Sequence, residues 1–468
     1  IRYLQTEQAS DSEFVQKNTK VEPYRIWHLF RRRRIQDNRE EKTTNREKTE
    51  EEREAAAGWN PDLSSWIDTE YSYQLARRME AFRSHPQLGY RPAGSRAEYE
   101  TGEMLKNEME RIGLSHVHKD PVTVDAWEFC KAELTCCLKD GTRRTFQLGA
   151  YQTTFQTEGA KEFSLVYAGK GTAADYEGLD VTGKLVLAEI NQREEWWINF
   201  PVYQACIRGA AAFIAVQEGG YGQVDDTALN AQDIAGPSHP PAVSMSRADA
   251  MVLKEAMGED REIPVWLDAD TKVEENRTTY NIIGELPGQE EGVMLLLSAH
   301  YDSYFNGFQD DNAAAAMVLG IARTLIRSGY KPRKTILFAA LAAEEWGITN
   351  SKYDWSAGAY QQVFVTRPQW QGTVMADFNF ELPARAHGRK DAVRSVYEYT
   401  TFLKDAVQDV PVDPKAYPDG LEIRCPIETM SDDFSMAIAG IPSMVNDFTE
   451  GPFMETHYHS QFDNETYY

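Results

Sequence analysis

From Val293 to Gly347 the chain reads VMLLLSAHYDSYFNGFQDDNAAAAMVLGIARTLIRSGYKPRKTILFAALAAEEWG. VMLLLSAH is a continuous apolar run of strand length, NAAAAMVLGIARTLIRSG has a helical pattern, and KTILFAALAAEEWG opens as a second apolar strand. Apolar strands joined through a helix give the βαβ unit of a parallel sheet covered on both faces. TVMADFNFE, from Thr373, reads as a third such strand. The same stretch crowds His300, Asp302, Asp310 and Asp311 between a buried strand and a buried helix. Ligand sites in open α/β sheets lie beyond the carboxyl ends of the strands, so these residues are placed where a site would form.

Around this unit the composition sets limits. A chain of 468 residues is long for one core and suggests two domains with extensions. Hydrophobic residues make up 42% and aromatics 11%, enough to fill packed interiors. Against 73 acidic residues stand 49 basic ones, a formal charge of −24. Phosphate binding needs clustered positive charge, so neither nucleic acid nor an anionic membrane is an expected partner. The longest apolar runs, such as ILFAALAA, fall far short of the ~20 residues needed to cross a bilayer. Cys130, Cys136, Cys137, Cys206 and Cys425 are scattered without a C-x-x-C spacing, and unpaired buried thiols are expected. No secretory signal is legible, and a cytoplasmic location is expected ahead of a secreted one. Homo-oligomerisation is left open.

Four regions differ in texture. Residues 1–58 form a charged N-terminal arm, with a basic run from Arg31 to Arg34 followed by REEKTTNREKTEEEREAAAG, which cannot bury an apolar face. Residues 59–152 read as the first part of a host domain. There Ser95–Gly113 is an amphipathic helix with Met104, Leu105, Met109 and Ile112 on one face and Gly113 as its stop. PVTVDAWEF and KAELTCCLKDGTRRTFQL follow as strands, the second with an Asp140–Gly141 hairpin turn. Residues 153–279 hold the strands of GKLVLAEI, AAAFIAVQ, PPAVSMS and IPVWLDADTKVEEN with intervening helices, and look like a self-contained insert. TYNIIGELPG returns the chain to the host, whose second part, 280–468, carries the clustered acids.

Each acid has an ordinary reading. Asp311 suits a helix N-cap, worth about 1 kcal/mol. His300-x-Asp302 suits a hydrogen-bonded pair, and Glu344–Glu345 a solvated surface. All of these have to hold together at one sheet edge, where Asp377 near the end of the third strand also converges. Five or more acids beside one His repel unless a counter-charge is present, and a dication removes the conflict. Imidazole and carboxylate without thiolate suit zinc, with manganese or cobalt as substitutes. So few nitrogen ligands suit a pair of ions, roughly 3.5–4 Å apart, sharing a carboxylate and a water. The segment THYHSQFDN supplies His457 and His459 as candidates for a second imidazole.

Taken in order, AHYDS, QDDNAAAA, AAEEWG, MADF and YHSQFD resemble the motifs of the co-catalytic di-zinc peptidase family that includes bacterial leucyl aminopeptidases and glutamate carboxypeptidase II. The resemblance runs from about Trp59 onward. It implies an α/β fold: a mostly parallel central sheet flanked by helices, with a β-rich protease-associated domain inserted over 153–279. It implies a zinc-dependent exopeptidase, foremost an aminopeptidase removing N-terminal residues from small peptides through a hydroxide bridging two zinc ions. By motif, His300 and Asp377 would bind one zinc, Glu345 and His459 the other, and Asp311 would bridge them; Asp310 falls one place off the pattern. Asp302 would orient His300. Glu344 would take a proton from the attacking water and pass it to the leaving amine. Tyr458 resembles the family's phenol donor to the oxyanion. The Tyr-His-Ser register selects His459 and leaves His457 solvent-facing or locally bonded.

Other readings compete. A carboxypeptidase of the same fold would need cations for a C-terminal carboxylate, and Arg385, His387, Arg389 and Lys390 of ARAHGRK could serve. A non-catalytic binding protein, like the transferrin receptor, should have lost ligands or the general base, and the chain retains them. A related metallohydrolase acting on a non-peptide amide is a third alternative.

Overall fold

The structure is a computed structural model that describes residues 63–191, 199–219, 225–230, 239–351, 354–384, 388–410, 412–446 and 457–468. The charged arm, residues 1–58, lies outside the described residues. Helix α1, Thr69–Met79, begins at Asp68, whose carboxylate accepts from Tyr71 N at 3.0 Å. Helix α2, Arg96–Ile112, is capped by Ser95, whose Oγ accepts from Glu98 N at 3.1 Å. It stops at Gly113, where φ is 101°, a conformation that side chains with a Cβ resist. Leu105 and Met109 are buried on its inner face, as the helical periodicity predicts, and Met104 and Ile112 are partly buried beside them.

Strand β1, Ser115–Cys137, joins both strands expected around PVTVDAWEF and KAELTCC into one run of 23 residues. It turns at Asp140–Gly141 into β2, Arg143–Gln147. The short strands β3, Gly149–Ala150, and β4, Phe155–Gln156, precede β5, Lys161–Tyr167, and β6, Leu185–Ile190. Helix α3, Asn199–Cys206, leads to β7, Ala212–Gln217, and then to β8, Ala242–Met245, and α4, Arg247–Met257. Strand β9, Glu262–Leu286, is 25 residues long. The remainder runs β10, Glu290–His300; α5, Ala314–Arg327; β11, Lys334–Leu341; α6, Ala357–Gln361; and β12, Val374–Asn379. Then come β13, Asp391–Ser395; α7, Thr400–Ala406; β14, Leu421–Arg424; α8, Asp432–Ile438; and β15, Ser443–Asn446.

Among the described residues these strands form one 15-stranded sheet, in the order β14-β13-β15-β12-β10-β11-β9-β5-β6-β7-β8-β3, with β1, β2 and β4 joined off this path. Strands β10, β11, β12 and β15 are parallel, so the βαβ unit of the central stretch is present, with α5 as its crossover. The strands expected to form a β-rich insert, β5 to β8, are also parallel, and they extend the same sheet through β9. β9 passes through Thr279 without a break. Its first half pairs with β5, its last residues pair with β11, and β1 follows it antiparallel from Val265 to Glu285.

The apolar core also crosses from one region to the other. Trp127, Phe129 and Leu134 of β1 pack with Leu185, Ile214 and Val243 of the insert strands, and the same cluster takes in Tyr304, Phe305 and Trp346. Those last three flank His300, Asp310 and the Glu344–Glu345 pair in sequence. Of the cysteines, Cys136 is the buried thiol, whereas Cys130 and Cys137 are exposed.

Trp127 is fully buried where the two regions share a core. Trp127→Ala is expected to cost about 3–5 kcal/mol of stability, the range for a large aromatic removed from a packed interior. Chemical denaturation checks this, and a loss below about 1 kcal/mol would mean the shared core contributes little there.

Candidate metal centre

β10 delivers His300 at its carboxyl end, and the ring is buried. Its Nε2 lies 3.4 Å from Asp310 Oδ1, 3.6 Å from Glu381 Oε1, 3.8 Å from Glu344 Oε2 and 3.9 Å from Asp311 Oδ2. The imidazole of His459 arrives from the other side, with Nε2 at 3.1 Å from both Asp310 Oδ2 and Glu345 Oε2. Asp310 therefore turns one oxygen to each imidazole. Donors arranged tetrahedrally at the usual 2.0–2.2 Å from a zinc ion lie about 3.3–3.6 Å from one another. The distances from His300 to Asp310 and Glu381, and from His459 to Asp310 and Glu345, lie near that value, and the donor types are those zinc accepts. Donor atoms of His300, Glu344 and Glu381, and of His300, Asp310 and Glu345, lie within 4.8 Å of one another.

The backbone explains why these side chains meet. Asp310 and Asp311 sit in a turn between β10 and α5 whose φ/ψ, −115°/84° and −135°/35°, are not helical. Glu344 and Glu345 follow β11, and their two amides donate to the carboxylate of Asp302 at 3.0 and 3.1 Å. Asp302 was expected to orient His300. The ring Nδ1 is 3.2 Å from the Asp302 carbonyl oxygen and 3.4 Å from its Oδ1, so this one residue faces both His300 and the Glu344–Glu345 loop. Glu381 follows β12 and accepts from Ser431 Oγ at 2.6 Å, and that hydroxyl accepts in turn from Asn379 Nδ2.

Charge in this enclosure is mutually dependent. Burial pushes Glu345 up to about 8, with Asp310 adding to the effect, and holds Glu344 and Asp311 well above the usual carboxylate range, with Glu381 adding to both. Burial opposes a charge on His459 too, yet Glu345 and Asp310 outweigh it and bring that imidazole up to about 10. His300 is likewise raised, by Glu381, Glu344 and Asp311 against the cost of burial. Asp310 alone among these acids is lowered: its hydrogen bonds to the two imidazoles overcome burial.

Two expected ligands give way to neighbours in the chain, one residue back for Asp311 and four residues on for Asp377. Asp310, not Asp311, occupies the shared position. The turn points successive carboxylates to different partners, and Asp311 Oδ1 accepts from Leu382 N at 3.2 Å. Asp377 does not reach the imidazoles. It lies inside β12 opposite Leu296, fully buried, with Oδ1 accepting from Ser298 Oγ at 2.8 Å and Oδ2 without a hydrogen-bond partner. Glu381, four residues on and past the strand end, takes its place beside His300. That was legible in principle, because residues 377, 379 and 381 alternate onto one face and only the last lies beyond the strand's carboxyl end. His300, Glu344, Glu345 and His459 are found together. Tyr458 stacks on His459 with ring centres 3.7 Å apart. His457 is buried against Tyr467 at 4.6 Å, not solvent-facing. Arg389 and Lys390 bond to Asp419 and Glu422 on an open surface, and Arg385 and His387 lie outside the described residues.

Residues 281–468 match the family model described as peptidase family M28. The chain is 28% identical to a probable leucine aminopeptidase 2 of Aspergillus fumigatus over 286 residues, 60% of this chain and 53% of that protein. It is 25% identical to leucine aminopeptidase 2 of Trichophyton rubrum over 298 residues, 62% and 56% of the two chains. It thus spans about half the length of these curated relatives. In fold it is similar to a zinc aminopeptidase from Bacillus subtilis, with TM-score 0.61 and 20% identity, covering 86% of this chain and 90% of that one. A peptidase M28 precursor from Shewanella amazonensis gives TM-score 0.69 at 18% identity with the same coverage. The resemblance to the zinc peptidase family and the α/β architecture it implies therefore stand.

Asp377 supplies a pH test. Burial holds its carboxyl up at about 8, far above its ordinary value of 3.8, so it favours the fold when protonated and this contribution is lost as pH rises from about 4 through about 8. Asp377→Asn, neutral throughout, should raise the melting temperature of the metal-free protein more at pH 8 than at pH 5. An equal gain at both values would contradict the burial argument.

Proposed function

Because residues 281–468 match the model of peptidase family M28, we propose that this protein is a zinc-dependent exopeptidase, acting as an aminopeptidase on small peptides. The observation that carries the reading is the carboxylate of Asp310 shared between His300 and His459, with Glu381 beside the first imidazole and Glu345 beside the second. Two ions suit this arrangement: His300, Asp310 and Glu381 would hold one, and His459, Asp310 and Glu345 the other. Manganese or cobalt would be tolerated by the same donors. When bound, zinc supplies Lewis acidity toward a peptide carbonyl and toward water.

The chain's own residues do the rest. Glu344 stands against His300 and adjoins Glu345, and burial makes its carboxyl a proton holder. In this reading it accepts the proton released by water as the carbonyl is attacked, then returns it to the departing amine. Tyr458, stacked on His459, would donate its hydroxyl to the developing oxyanion. Residues 153–279 are read as a protease-associated cover over the mouth, whose strands β5 to β8 share a core with the loops of the site.

Preference for the amino end follows from charge. The acids Asp310, Asp311, Glu344, Glu345 and Glu381 around the imidazoles can pair with a peptide ammonium and would repel a terminal carboxylate. Arg389 and Lys390, the described cations considered for a carboxypeptidase, are already paired with acids. Retention of Glu344 with every donor weighs against a purely binding role.

Aminoacyl anilides should be hydrolysed, the activity should vanish with a chelator and return with zinc, and N-blocked dipeptides should resist while C-blocked ones are cleaved. The opposite blocking pattern would favour a carboxypeptidase. Glu344→Gln should lower kcat by about 10²–10⁴-fold with zinc content intact, as expected for loss of a general base. Asp310→Ala should lose zinc. A Glu344→Gln protein that is active, or emptied of metal, would contradict the assigned role.

A further inference from the structure

We propose that Asp463 is the positioning residue that holds Asp310 between the two imidazoles, by fixing the backbone turn from which that carboxylate springs. The proposal rests on the zinc-site reading above. Asp463 closes the YHSQFD motif and had no role assigned to it, yet it is 2% exposed and directed at the turn. Its Oδ1 accepts from Gln309 N at 2.8 Å and its Oδ2 from Asp310 N at 3.0 Å, while its carbonyl oxygen accepts from Phe308 N at 3.4 Å. Tyr468 OH adds a fourth bond, to Oδ1, at 3.1 Å.

The amides at 309 and 310 need such a partner, because the turn leaves helical geometry just there. Bonds from two successive amides to a carboxylate are charge-assisted and fix direction as well as position. The consequence is specific to metal binding. Asp463 lies four residues after His459 and is tied to the same loop through its own amide, which donates to Ser460 O at 3.1 Å. One loop thus places an imidazole and also aims the carboxylate that imidazole must share.

The turn is also tied forward. Gln309 Nε2 donates to Leu382 O and its Oε1 accepts from Ala384 N, both at 2.6 Å, just beyond Glu381. Three ligand-bearing segments are therefore joined through the two residues 463 and 309. A carboxylate serving only to stabilise the chain would affect melting without affecting how the ions are held. A positioning residue changes the ions' affinity.

The test uses Asp463→Asn, which keeps the shape, leaves one acceptor and turns an NH2 toward the other amide. Zinc binding to the full chain is measured by competition with a chromogenic chelator, beside the melting temperature of the metal-free protein and the kcat and KM of the loaded one. Expected are a zinc affinity weakened by about 10–100-fold, the range for losing an outer support of a ligand, a kcat that falls more than KM changes, and a metal-free melting temperature within a few degrees of wild type. Zinc affinity within twofold of wild type, whether or not melting shifts, would overturn the assignment. Should that variant not fold, Asp463→Ser, which keeps one acceptor in less volume, is measured in the same way and judged by the same result. A wild-type chain that binds no zinc would overturn the zinc reading and this assignment with it; tight wild-type binding matched by the variant overturns the assignment alone.

Discussion

Carboxylates gathered in a few ångströms of buried space cannot all be ionised without something positive among them, since neither water nor distance relieves the repulsion. Asp310, Asp311, Glu344, Glu345 and Glu381 are in that position, and the surrounding fold answers it in layers. The nearest answer is the pair of imidazoles, each within reach of two or more acids. Those two rings hold Asp310 ionised while burial pushes Glu344, Glu345 and Asp311 toward their neutral forms. Such a set is poised to exchange protons for divalent cations, because deprotonation and metal binding favour each other.

A second layer is made of peptide amides. Asp302 takes the amides of Glu344 and Glu345, and Asp311 takes that of Leu382. These bonds do not neutralise the acids of the centre. They fix where the loops stand, so that side chains from β10, β11, β12 and the last described segment arrive together. Each strand contributes its residue at or past its carboxyl end, which is where successive parallel strands leave backbone free to turn.

Much of this was legible as sequence, and the misses have physical causes. The βαβ unit announced itself because β10 and β11 are buried on both faces and so read as unbroken apolar runs. Helix α2 was bounded by Ser95 and Gly113, whose capping chemistry is local. The choice between Asp310 and Asp311 was not legible: in a non-helical turn neither periodicity applies, and adjacent residues face different partners. Asp377 was assigned from the MADF motif and its place near the end of the apolar strand, without weighing Glu381, although the rule placing ligands beyond strand ends pointed to the later residue. The polar run around Glu274–Arg277 read as the approach to a boundary. Glu275 to Arg277 are exposed and the pairing with β1 shifts register there, yet the run stays in β9 because strand pairing uses backbone groups and resumes on either side.

That continuity has a mechanical consequence. An inserted domain commonly hangs on two short tethers and can swing. Here the tethers are β1 and β9 themselves, laced to each other along most of their length. A swivel anywhere along that girder would break interstrand bonds, each worth about 0.5–1.5 kcal/mol net, with no new partners to replace them. The two regions that these strands join are therefore expected to move as one piece.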